Sequence, residues 1–402
     1  MQTVAQSWLV YRMTGSATLL GVVGFASQFP IFLLSPLGGA VSDSYPRRHS
    51  MIAIQTAAML LAFPLAVLTL TNRIQVWHVI VLALLLGAVN AFDIPVRQAF
   101  FVEMVGRQDL MNALALNSSM VNGARIVGPA VAGLLVAAVG EGWCFLLNGI
   151  SYIPVIAGLT MIKSGNRPPV EHHGSRIKAI VVGLHFVWRT RPIRALLLLI
   201  GLVSLMGMPY SVLMPIFANQ ILNGGPKSLG LLMGSSGIGA LVAALILVGR
   251  RGMRGLSKWV MMACGGFGVS LVLFAFSRNL WLSVLLLLPV GFSMMLQLAS
   301  TNTLIQAMAP DHFRGRVMSM YSMMFMGMSP IGALLAGVFA HSLGAPGAVA
   351  AGGAACIAAA LVFRSHLPAL TAEGRELIDA QMMVPAEPAE AETGEVTGQG
   401  SH

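Results

Sequence analysis

The chain has 402 residues, 56% of them hydrophobic and only 9% charged, with a mean hydropathy of +0.79. That balance excludes a soluble globular domain, whose surface alone needs a larger share of Asp, Glu, Lys and Arg. A formal charge of +10 would suit a nucleic-acid binder, but the placement of the basic residues, described below, excludes that partner too.

Apolar segments fall at roughly 1–12, 17–42, 51–70, 76–95, 110–139, 143–162, 193–218, 228–249, 258–276, 280–308, 316–342 and 345–363. Eleven are long enough to cross a hydrocarbon core about 30 Å thick. The first, at about 18 Å, is not. The predicted fold class is therefore an all-α membrane protein.

An internal repeat organises these segments. Residues from Glu103 through Gly140 match those from Ala307 through Gly344 at a constant offset of 204, including Ala132-Gly133 against Ala336-Gly337. Each copy contains a Pro step, Gly128-Pro129 and Ser329-Pro330. The chain thus reads as two homologous six-helix halves. In this register Met1 falls opposite the middle of the seventh segment, so the first helix is expected to be truncated at its N-terminus.

The repeat divides the chain into an N-terminal bundle at 1–162, a linker at 163–191, a C-terminal bundle at 192–364 and a tail at 365–402. The linker ends in an amphipathic stretch, 176–191, with Ile177, Ile180, Val181 and Leu184 set against Arg176, Lys178 and Arg189. It reads as an interfacial helix. The tail carries Glu387, Glu390, Glu392 and Glu395 among Pro and Gly, a composition expected to be disordered. Nineteen of the 24 Lys and Arg lie on one side when the loops after helices two, four, six, eight and ten are grouped with the tail. This is the positive-inside pattern. It predicts a multi-pass membrane protein with a cytoplasmic C-terminus.

Arg125 lies near the middle of the fifth segment, where a charge costs at least about 2.5–3.5 kcal/mol. Three readings stay open: it binds an anionic substrate group, it pairs with an acid in the missing part of helix one, or it braces carbonyls freed by Pro129. Gly128, Pro129 and Gly133 read as a kink and close-packing site where the halves meet. Gln28, Asn117, Asn122, Tyr210, Gln297 and Asn302 are polar groups at similar depth and candidates for a lined cavity. Cys144, Cys264 and Cys356 stand in separate segments without CxxC or Cys/His spacing, so no metal or disulfide is expected. No nucleotide loop or catalytic triad follows a strand, so neither an enzyme nor a cofactor is expected.

Twelve helices in two halves, with a charged turn after helix two, resemble the major facilitator superfamily. The loop signature of that family appears as Gly39-Ala-Val-Ser-Asp43-Ser-Tyr-Pro-Arg47-Arg48. The order Asp93-x-Pro-x-Arg97-Gln-Ala-Phe, Asn117-Ser, Asn122-x-Ala-Arg125 and Gly128-Pro129 is similar to the enterobactin-exporter branch. The resemblance implies a monomeric secondary transporter that exports a siderophore-like or amphipathic small molecule in exchange for protons. It also implies a cytoplasmic gate of Gly39, Asp43, Arg47, Arg48, Asp93 and Arg97, released as the transporter opens inward. The alternatives are an importer of small organic anions and a truncated membrane protein that transports nothing.

Overall fold

The computed structural model describes residues 1–105, 110–162, 185–249 and 255–383. In the N-terminal half it contains helices α1 (Gln2–Thr14), α2 (Ala17–Ser44), α3 (Arg47–Leu70), α4 (Val76–Val105), α5 (Leu110–Val139) and α6 (Glu141–Met161). The C-terminal half contains α7 (Arg191–Ile221), α8 (Gly225–Val248), α9 (Leu256–Phe276) and α10 (Leu280–Met308). A last helical path, Asp311–Met383, is broken at Gly344 into α11 (311–343) and α12 (345–383). There is no strand among the described residues. Nine stretches among them are long and apolar enough to cross a membrane, the last running through the Gly344 break.

The repeat is visible in the backbone. Gly140, between α5 and α6, has φ 86° and ψ 171°, and its counterpart Gly344 has φ 75° and ψ 160°. Only glycine enters that region without strain. In both halves the second helix packs on the fourth and the third on the sixth. Gly149 of α6 meets the Phe63 ring of α3, and its counterpart Gly353 meets the Gly268 backbone of α9.

Three elements depart from expectation. α4 continues ten residues beyond 95, because Arg47 at the start of α3 donates to the Ala99 carbonyl and pairs with Glu103, packing the added turns against α3. Residues 365–383, expected to be disordered, instead extend α12. Leu367, Leu370, Leu377 and Ile378 recur at helical spacing and pack on the core, and Glu373 faces Arg191 at 3.7 Å. The acidic stretch that suggested disorder starts only after Met383. Within α7, Pro209 cannot donate to the Leu205 carbonyl, and the ladder shifts to an i→i−5 bond from Met208 to Val203 (2.9 Å), forming a π turn at Val203–Gly207. The Leu205 carbonyl abuts Gly332 on α11. Residues 163–184 of the expected linker and 384–402 of the tail lie outside the described residues.

Candidate functional site

The halves meet along two seams, α5 on α8 and α2 on α11. At the first, a β carbon on Gly133 would fall 2.7 Å from both Gly230 Cα and the Pro226 oxygen. At the second, one on Gly21 would fall 2.7 Å from the Ala333 oxygen and 3.0 Å from Gly337 Cα. Gly133 and Gly337 are partners in the repeat, so both crossings use the same position of the ancestral helix. Backbone contact of this kind needs small residues on both helices. Gly128, expected to pack here as well, meets nothing within 4 Å. The close packing falls to Gly133 and to the Pro129 carbonyl, which faces Gly230. Deeper along α2 and α11, Ser329 donates to Gln28 at 2.8 Å, tying one half to the other, and Phe32 lies against Gly327.

These contacts run from the end of the bundle opposite the arginine-rich turns down to mid-depth. At the arginine-rich end, the side-chain partners described for the gate residues belong to the N-terminal half. Arg48 bonds the Leu159 carbonyl (2.7 Å) and the Thr160 carbonyl, satisfying oxygens at the end of α6 that have no intrahelical amide. Arg97 donates to Asp93 Oδ2 at 2.6 Å, one helical turn away. Gln55 of α3, itself buried, donates to Asp93 Oδ1 at 3.0 Å. Tyr152 of α6 lies near this pair. The Asp93 side chain is 13% exposed and that of Arg97 is 59% exposed. A carboxylate is thus sheltered inside the half while its cation reaches outward. A charge-assisted bond such as that from Gln55 contributes about 1.5–3 kcal/mol.

The remaining predicted residues are spread over both halves. Tyr210 is buried and bonds Ser236 of α8 at 2.9 Å, and Gln297 is buried between helices of the C-terminal half. Both were expected to line a passage and instead lie between packed helices of one bundle. Asn302 accepts from Gln306 at 2.6 Å on its own helix, and Asn117 is half-buried. Gly39, Asp43, Asn122 and Arg125 fall within α2 and α5, but their side-chain surroundings lie outside the described residues. Gln55 and Ser329 were missed, although the rarity of intramembrane amides already marked Gln55. At the opposite end, Arg12 makes a two-point contact with Glu141 (Nε–Oε1 2.8 Å, Nη2–Oε2 3.3 Å) in a cleft of about 530 Å³ that Pro226 and Lys227 close from the other half.

Comparison with known proteins adds to this geometry. A family model described as transmembrane secretion effector matches residues 1–397. The chain is 26% identical over 343 residues to the staphyloferrin A transporter of Staphylococcus aureus, covering 85% of each chain. It is 29% identical over 351 residues to the multidrug efflux pump Tap of Mycolicibacterium fortuitum, again covering 85% of each. Among solved structures, it is similar to the nucleoside transporter NupG (TM-score 0.66, 13% identity, 93% of this chain and 94% of that one). It is also similar to a bacterial homologue of the iron transporter ferroportin (TM-score 0.66, 18% identity, 90% and 95%).

Proposed function

Because the chain belongs to the transmembrane secretion effectors of the major facilitator superfamily, we propose that it is a proton-coupled exporter of a siderophore-like or amphipathic small molecule. The halves swing about each other, exposing a central site first to one side and then to the other. The arginine-rich end faces the cytoplasm of a bacterial inner membrane, and the C-terminus lies on the same side. The substrate class is drawn from the staphyloferrin A transporter and the Tap efflux pump among the relatives.

One observation carries this reading. The halves touch through bare backbone at the end away from the arginines, whereas Asp93 and Arg97 are held within their own half. Such a pair is free to engage the other half once the cytoplasmic side closes, giving a two-state electrostatic element. Asp93 carries the proton. Protonation removes its hold on Arg97, whose exposed guanidinium then finds another acceptor. Arg125 has the role of binding an anionic group of the substrate.

Proteoliposomes with an imposed pH gradient test the proposal, with ethidium and staphyloferrin A as probes. Gradient-driven movement toward the acidic side is expected for at least one. Arg125→Ala should abolish that flux while leaving membrane insertion intact. Flux unchanged by collapse of the gradient overturns proton coupling, and wild-type flux from Arg125→Ala removes the substrate role of the arginine.

A further inference from the structure

At the 204-residue offset, Asp93 and Arg97 of α4 fall on Gln297 and Thr301 of α10, and Tyr152 of α6 falls on Cys356 of α12. The C-terminal half therefore carries an uncharged version of the same polar site. Its state of satisfaction is different. Gln297 is 1% exposed, and Ser300 and Thr301 are 0% exposed. Among the described residues, the amide oxygen and nitrogen of Gln297 and the hydroxyls of Ser300 and Thr301 have no strong hydrogen-bond partner.

Local bonding does not account for these groups. Thr303, on the exposed side of the same helix, donates to the Ala299 carbonyl at 2.9 Å, as hydroxyls in helices commonly do. Ser300 and Thr301 make no such bond. The i, i+3, i+4 spacing puts Gln297, Ser300 and Thr301 on one face. That face looks toward α9, since Ser293 one turn earlier lies against Gly266 and the Cys264 thiol lies beside Gln297. Cys264 gives its hydrogen to the Cys356 carbonyl (3.4 Å), so toward the Gln297 amide it offers only its sulfur, a weak acceptor.

The chemistry of the set selects its ligand. A hard cation would use the three oxygens and leave the amide NH2 unmatched. An anion needs donors only. The four atoms supply both, since the amide donates and accepts through separate atoms and each hydroxyl does either. We propose that Gln297, Ser300 and Thr301 form a hydration site, holding ordered water inside the C-terminal half where the N-terminal half holds its ion pair. Water that donates and accepts at once satisfies all four atoms. The site is uncharged at every physiological pH. A second consequence, which rests on the proton reading above, is that proton exchange is confined to the N-terminal half.

Hydroxyl-radical footprinting of the full chain in nanodiscs, in water enriched in oxygen-18, tests the site without any transport assay. Radicals formed from bound water label the side chains next to it. Cys264 and Cys144 are both buried, and Cys264 should be oxidised several-fold faster. In Gln297→Met/Ser300→Ala/Thr301→Val the rate at Cys264 should fall to that of Cys144. Equal rates in the wild-type protein, which needs no variant to fold, overturn the proposal. A rise in melting temperature specific to sodium chloride over choline chloride, and lost in the variant, also overturns it, in favour of a cation site.

Discussion

The two halves agree where the backbone must bend or touch and differ where side chains carry charge. Gly140 and Gly344 share one unusual conformation, and Gly133 and Gly337 each permit a helix crossing. Asp93 and Arg97 are instead answered by Gln297 and Thr301, and Gly128, open to space, is answered by Gly332, which is pressed against the Leu205 carbonyl. The crossings between the halves are therefore symmetric, while the ionisable chemistry is one-sided. Close crossing of two helices needs small residues on both sides. Coupling to an ion needs only one titratable group.

Four substitutions probe that division. Asp93→Asn should have the largest effect, lowering gradient-driven efflux by about tenfold or more, or at least ~1.4 kcal/mol of barrier, while counterflow without a gradient persists. If the two rates fall together, Asp93 is part of the scaffold and the halves are less different than described. Gly133→Ala comes next. Its new methyl meets backbone on the other helix, a clash worth about 1–3 kcal/mol, or a roughly 5- to 150-fold shift toward the state open at that end. Labelling of Val136→Cys by an impermeant maleimide should speed up accordingly, and Gly128→Ala should leave the rate unchanged. Gln55→Leu should lower stability by about 1–3 kcal/mol, because it strips a buried carboxylate of a donor. Gln297→Met, which removes a buried amide without orphaning a protein partner, should stay within about 1 kcal/mol of wild type by thermal denaturation. Equal losses from the two amide variants would erase the contrast between the halves.

The sequence revealed most of the architecture, for a physical reason. In lipid every span must be helical and apolar, so segment lengths and the 204-residue repeat locate the helices almost to their ends. Continuations such as α4 past 95 and α12 past 364 escaped notice because they leave the region where hydropathy reports, and they are held by Arg47 and Arg191 through tertiary pairing. The candidate site was less legible. Asp93 and Arg97 stood out as charges, but nothing in the local pattern says that Gln55, thirty-eight positions earlier, completes the carboxylate's shell. Tyr210 and Gln297 were marked by polarity alone, which carries no direction, and packing sets both between helices of one bundle.

The glycine crossings have a consequence for whatever leaves the molecule. The atoms that face these glycines are the carbonyl oxygens of Ala17, Pro129, Pro226 and Ala333. When the seams part, the exit would be bordered by main-chain acceptors rather than by side chains. Solutes rich in hydroxyl or ammonium groups would find ready partners there, and the selectivity of that doorway would resist most point mutations, because no side chain creates it.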